Sequence, residues 1–354
     1  MTKRNATVAV ASVLLVVAVA VVVLLPVPYV TMRPGPTRDV LAMGGGKTVI
    51  EIDGRKTYPT EGSLRLTTVS VTSPGDSVGI AEVVRAWIAP DEAVVPRDAV
   101  YAPSKSAEEA EQESATQMAD SQNVAAAAAL RLLGDDIPEH AVVMAVNDDA
   151  PAAGVLEVDD VIVGVDGKPT ATAAATVAAI RDRSIGDEVE LTIRRGDAEQ
   201  QVRMATTGLR NPETGRRFPA VGITPGVIYD LPIDVRIKLS GGIGGPSAGT
   251  IFALAIYDEL TPGALTGGAS VAGTGEITAD GAVGPIGGIQ QKVVGAADAG
   301  AEVFLVPAAN CAGALGADVD PDDITLVRVD DLRGAVQALE ALADDPAAEV
   351  PECG

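Results

Sequence analysis

Residues 6–25 carry no charged side chain, and this run of twenty positions, rich in Val, Leu and Ala, constrains the chain more than any other feature. At about 1.5 Å of rise per residue it reaches roughly 30 Å, the thickness of a bilayer's hydrocarbon core. A transmembrane helix is expected over residues 6–27. Lys3 and Arg4 precede it and favour a cytoplasmic stub of residues 1–5, although Arg33 and Arg38 beyond the run reduce the contrast. A cleaved leader is the competing reading. Against it, Ala18-Val19-Ala20 lies inside the apolar run and is followed by Val-Val-Val-Leu-Leu rather than by polar sequence. The expected protein is therefore held at the cell membrane by a single pass, with everything from residue 28 outside.

What remains is long enough for two folded modules, since the chain has 354 residues. Aromatics make up only 3%, so the core must be built from Val, Ala, Leu and Ile, a composition that leans toward strands. A formal charge of -23 repels phosphate backbones and argues against nucleic acid as a partner. The two cysteines, Cys311 and Cys353, are too far apart for a CxxC metal site, and the one histidine, His140, cannot build a zinc centre. No metal and no cofactor is expected. In an oxidising compartment the two cysteines are candidates for one disulfide.

Pro34-Gly35-Pro36-Thr37 reads as a turn, and residues 47–53 and 64–71 alternate as strands do. Residues 106–133 lack Pro and Gly, with Ser104 or Ser106 as a cap and Gly134 as a stop, which predicts one or two helices. Gly44-Gly45-Gly46-Lys47-Thr48 ends like a phosphate-binding loop, but that motif needs Gly where Leu41 stands, so no nucleotide site is expected. Residues 137–207 then run strand, Ala150-Pro151-Ala152-Ala153-Gly154 turn, strand, tight turn at Asp166-Gly167, helix over 171–180, and strand over 188–194. This order resembles a PDZ domain, departing at Asp159, where the family usually has Gly. The resemblance implies capture of extended peptides by strand addition to a sheet edge.

The richest chemistry lies in residues 240–250, Ser-Gly-Gly-Ile-Gly-Gly-Pro-Ser-Ala-Gly-Thr, just before the apolar residues 251–256. Small residues turn the chain sharply and place Ser247 at a helix start, where backbone N–H groups can face a developing oxyanion. Serine still needs a base. His140 falls in the PDZ-like region, far along the chain. Of the seven lysines, Lys3, Lys47, Lys56, Lys105, Lys168, Lys238 and Lys292, the last follows a Gly-rich segment and precedes a small-residue helix over 293–299 that would bury it. Burial holds a lysine neutral.

Gly245-Pro246-Ser247-Ala248-Gly249, with Thr274-Gly275-Glu276-Ile277-Thr278 and the segment 284–292 ending in Lys292, resembles the proteolytic domain of the Lon family in order and spacing. The resemblance implies Ser247 as nucleophile and Lys292 as general base, supported by Thr274, Gly245 and Pro246. It extends to residues 48–52, 62–67 and 118–121, making the PDZ-like segment an insertion. The expected chain is a mixed α/β (α+β) Lon-type domain in two pieces, 28–136 and 208–345. Between them lies the PDZ domain, 137–207, and a tail follows over 346–354. Gly244 stands where many members have Asp, and no ATPase module accompanies the domain.

The expected activity is ATP-independent serine endopeptidase action on flexible extracytoplasmic peptides or proteins delivered by the PDZ domain, in a homo-oligomer that the resemblance makes a hexamer. The alternative is a catalytically silent PDZ adaptor or assembly protein.

Overall fold

The computed structural model describes residues 3–44, 47–102, 106–210, 214–239 and 242–354. Ser104 and Gly45-Gly46 lie outside them. The chain divides into two compact units, one made of Met1–Gly134 and Ile233–Gly354, the other of Asp135–Pro232.

The first unit begins with α1 (Lys3–Leu24), on the uncharged run. Among the described residues, however, no helix is long and apolar enough to cross a membrane. The expected span over residues 6–27 draws partly on side chains outside the described set. The helix carries Lys3 and Arg4 in its first turn. The side chains of residues 19–24, on which the expectation also drew, lie outside the described set.

Past α1 come β1 (Pro26–Val27), β2 (Tyr29–Pro34), β3 (Ile50–Asp53), β4 (Ser63–Leu66), β5 (Val69–Val71) and β6 (Val78–Gly79). They are followed by α2 (Ile80–Ile88), β7 (Ala93–Pro96) and α3 (Ala107–Leu132). The two expected strands thus break into four: Lys47–Thr48 pairs with Met43–Gly44 apart from β3, and Thr67 and Thr68 leave the ladder between β4 and β5. Residues 106–133 hold one long helix. Ser106 caps it with a full capping box, accepting from the Glu109 N–H while the Glu109 carboxylate accepts from its own.

The second unit contains β8 (Glu139–Val146), β9 (Val161–Val165), α4 (Ala173–Arg181), β10 (Glu188–Arg195) and β11 (Ala198–Ala205). A hairpin of β12 (Thr207–Arg210) and β13 (Arg217–Ala220) and a last strand β14 (Ile223–Tyr229) complete it. The Asp166-Gly167 turn forms with both residues at positive φ, which a two-residue hairpin requires. Asp159 takes φ 71°, so the aspartate adopts the left-handed conformation that a glycine would supply. The unit continues past the expected end at Thr207: β14 pairs antiparallel with β8 and closes the sheet in the order β11-β10-β9-β8-β14. Its core is aliphatic, centred on Val143, Ile162, Val189, Leu191 and Ile193.

The chain re-enters the first unit at β15 (Asp234–Ile237), which pairs with β3, and continues through α5 (Gly249–Leu260), β16 (Ser270–Gly273) and α6 (Ile289–Asp298). It ends with β17 (Val303–Pro307), β18 (Thr325–Val329) and α7 (Leu332–Asp344). Strands β18, β17, β16 and β4 run parallel, with the short strand Arg38–Asp39 antiparallel at the edge. Such a sheet is buried on both faces, which is why β17 is a continuous apolar stretch and nearly all of α5 is buried. The run of five alanines in α3, residues 125–129, gives α5 a close surface to pack on. Cys311 and Cys353 form a disulfide with Cα atoms 5.1 Å apart, and the tail beside it donates from Cys353 N–H to Leu326 and accepts at Pro351 from Arg328.

Candidate active site

Parallel strands β4 and β16 lie side by side with Leu66 opposite Gly273, so Thr67 and Thr274 both stand just past their carboxyl ends. In open α/β sheets this is where ligands and reactive groups collect. The Thr67 hydroxyl donates to the Gly273 carbonyl at 3.1 Å and ties the two strand ends together.

Lys292 reaches the same spot from the first turn of α6. Its side chain is only 3% exposed, and burial alone lowers its pKa from 10.5 to about 8. Its Nζ makes three contacts: the Ser247 Oγ at 2.9 Å, the Thr67 carbonyl at 2.9 Å and the Thr274 Oγ1 at 3.1 Å. Thr274 spends its own hydroxyl proton on the Ser247 carbonyl at 2.9 Å, so toward Lys292 it acts only as an acceptor. A neutral amine there keeps two N–H bonds, to Thr67 and Thr274, and its lone pair is left facing Ser247.

Ser247 is half-buried and precedes α5 by two residues. The loop before it is held from α3: the Ser121 hydroxyl donates to the Pro246 carbonyl and the Gly245 N–H donates to the Ser114 carbonyl, both at 3.0 Å. Gly245 sits at φ 85°, a conformation that side-chain-bearing residues rarely adopt. A Cβ at Gly244 would fall 2.1 Å from the Ser114 hydroxyl, so a side chain there would require that hydroxyl to rotate away and its neighbours to give slightly. The Gly275 N–H donates to the Ser247 carbonyl at 2.8 Å. Pro246 has no N–H, and among the described residues no backbone carbonyl accepts from Ser247 or Ala248, leaving two donors at the head of α5 free for an incoming oxygen.

The sequence reading placed Ser247, Lys292, Thr274, Gly245 and Pro246 in one site, and the structure brings all five together. His140 lies in the other unit, 3.3 Å from the Asp230 carboxylate. Sequence reasoning did not assign Ser114, Ser121, the Thr67 carbonyl or Asn310. The Asn310 amide both accepts from and donates to the Ile286 backbone, at 2.8 and 3.0 Å, pinning the loop that leads into α6.

An open cleft of about 730 Å³ runs past Ser247 and Lys292, lined by Met32, Met118, Ile286 and all three residues of β5. Strand β5 pairs only with β2 and ends its sheet, so its other edge is unpaired among the described strands. In the second unit β14 is likewise an edge strand, and a groove lined by Ala173, Val177, Pro225 and Val227 opens between it and α4.

The chain is similar to known proteins in two regions. Residues 228–330 match the Lon protease (S16) C-terminal proteolytic domain, and residues 115–206 match the PDZ domain. The Lon protease of Phenylobacterium zucineum is 39% identical over 97 residues, 27% of this chain and 12% of that protein. Lon protease 2 of Bacillus subtilis is 31% identical over 131 residues, 36% of this chain and 21% of that protein. The chain thus spans only a small part of these relatives. Among solved structures, the PDZ domain of the SdrC-like protein of Listeria monocytogenes is 32% identical, covering 24% of this chain and 85% of that one with a TM-score of 0.22. The fold is mixed α/β, with a PDZ domain and a Lon-type proteolytic domain.

Proposed function

We propose that this chain is a serine endopeptidase in which Ser247 attacks the peptide carbonyl and Lys292 is its general base. The observation that carries this reading is the 2.9 Å contact from Lys292 Nζ to Ser247 Oγ, made by a buried lysine with its pKa lowered to about 8. The neutral amine takes the serine proton, and the alkoxide attacks a carbonyl whose oxygen turns toward the N–H groups of Ser247 and Ala248. The ammonium so formed is stabilised by three acceptors already in place, then returns its proton to the leaving amine. Water repeats the sequence to release the acyl group.

Substrate enters as an extended strand along the free edge of β5, so flexible segments are cleaved without ATP. The groove between α4 and β14 takes a peptide in the same way and recruits the substrate. The disulfide supports an oxidising, extracytoplasmic setting. The uncharged run of residues 6–25 supports a membrane tether there. Assembly into a homo-oligomer, a hexamer by the Lon resemblance, belongs to the same reading.

The deciding experiment is labelling with a fluorophosphonate probe, which should modify the wild type and not Ser247→Ala. A wild-type chain that resists the probe and cleaves no peptide would instead be the adaptor.

A further inference from the structure

Helix α2 carries a patch that the catalytic reading does not use. Val84, Trp87 and Ile88 fall at i, i+3 and i+4 on one face and are 45%, 80% and 76% exposed, while Ala86 turns inward and is buried. Single exposed apolar residues are ordinary, but three on one helical face, including a tryptophan, form a surface that water solvates poorly. Arg85 on the same helix is held by two bonds to the Glu92 carboxylate at 2.6 and 3.1 Å, and Glu82 and Asp91 also act on it, so the surroundings of the patch are acidic rather than basic.

The patch lies where α1 leaves the folded body. Strand β1 follows α1 and β6 precedes α2; the two pair antiparallel with Pro26 opposite Gly79 and Val27 opposite Val78. This clamp sets the start of α2 beside the end of α1, and exposed Leu25 and Tyr29 flank it. Tryptophan and tyrosine concentrate at membrane–water boundaries because the ring is apolar and its N–H or O–H is wet.

We infer that α2 is an interfacial foot, laying Val84, Trp87 and Ile88 into the headgroup region of an uncharged bilayer next to the point where α1 departs. The inference rests on the proposed tether and goes beyond it by giving the folded body its own lipid contact. Zwitterionic lipid suits the face, since a chain of charge -23 repels anionic lipid.

Trp87 is the chain's only tryptophan, so intrinsic fluorescence reports on this face alone. The full chain would be reconstituted with phosphatidylcholine vesicles and floated on a gradient. The expected result is co-flotation, a blue-shifted emission, an acrylamide quenching constant at least 2-fold below that without lipid, and stronger quenching by lipids brominated near the headgroup than near the chain end. Co-flotation with Trp87 still fully open to acrylamide overturns the inference and leaves the tether standing. A chain that stays at the bottom of the gradient overturns both. Shielding that develops without lipid as protein concentration rises assigns the face to a second copy and also overturns it.

Discussion

Lys292 Nζ donates to the carbonyl oxygen of Thr67 at 2.9 Å, across 225 residues of sequence. That bond and the one to Thr274 are with acceptors only, so together they aim the remaining corner of the amine at Ser247. The orientation of the Lys292 amine is set by the ends of two parallel strands.

Replacing either reacting group should abolish turnover. Ser247→Ala and Lys292→Ala are each expected to reduce peptide cleavage by at least 10³-fold, in the range set by removal of catalytic nucleophiles and bases, with unchanged circular dichroism. Lys292→Arg should fail equally, because a guanidinium does not give up its proton. Appreciable turnover by the Arg variant would remove Lys292 from the role of base.

The lowered lysine pKa has consequences for both rate and stability. Cleavage should increase with pH through an inflection near 8 in kcat/KM, the free enzyme's value. The unfolded chain holds the lysine proton up to about 10.5, whereas the folded one releases it near 8. The resulting penalty is therefore full below pH 8 and disappears as pH rises to 10.5. At roughly 1.4 kcal/mol per unit it amounts to about 3 kcal/mol. Lys292→Met should raise stability at pH 7 by up to that amount, and the gain should vanish above pH 10.5 in urea titrations. A rate profile flat from pH 6 to 9 would contradict the assignment.

Thr274 is a positioning residue whose hydroxyl both accepts from Lys292 and donates to the Ser247 carbonyl. Thr274→Val should lower kcat by about 10–100-fold with little change in KM and shift the pH inflection, while Thr274→Ser restores most of the rate. Equal loss in the Ser and Val variants would mean that the methyl group, and hence packing, matters more than the hydroxyl.

Removing the disulfide should act on stability and not on chemistry. Cys311 and Cys353 are 42 residues apart, and closing a loop of that length contributes about 2–4 kcal/mol. Cys311→Ser with Cys353→Ser should lower the unfolding midpoint by that equivalent, with kcat at 25 °C unchanged. Two free thiols titrated in unreduced, denatured protein would show that the bridge is not made.

Excising the inserted unit should separate recruitment from catalysis. With residues 135–232 replaced by a Gly-Ser linker, a short peptide should be cleaved normally and a protein substrate more slowly, mainly through KM. Equal loss on both substrates would make the insertion part of the catalytic fold, and equal retention would mean that it binds something other than substrate.

Much of the site was legible in the sequence because its side chains sit in short motifs: Ser247 at a glycine-rich helix start, Lys292 after another glycine-rich segment, Thr274 between them. The Thr67 carbonyl was not, since every residue has a carbonyl and only the parallel register of β4 and β16 gives this one a role. The extent of the inserted unit was hidden for a related reason. Strand β14 joins it by pairing with β8, more than 75 residues earlier, and periodicity carries no record of such a partner. The capping box at Ser106 and the Asp166-Gly167 turn were readable because their bonds are local. At Gly244, which departs from the resembled pattern, the Ser114 hydroxyl of α3 lies where a Cβ would fall, a contact between residues 130 positions apart that the motif itself does not record.

The C-terminal tail does more than end the chain. Its antiparallel bridge between Glu352 and Val327 lies along the outer side of β18, the last strand of the parallel sheet. An uncovered edge there would present open N–H and C=O groups to any passing strand. In a reducing cytosol the tail loses its fastening to Cys311, and a newly made chain held there would offer that edge to its neighbours. Recombinant material made without an oxidising route is therefore expected to aggregate through this edge more readily than oxidised material as it approaches its lower unfolding midpoint.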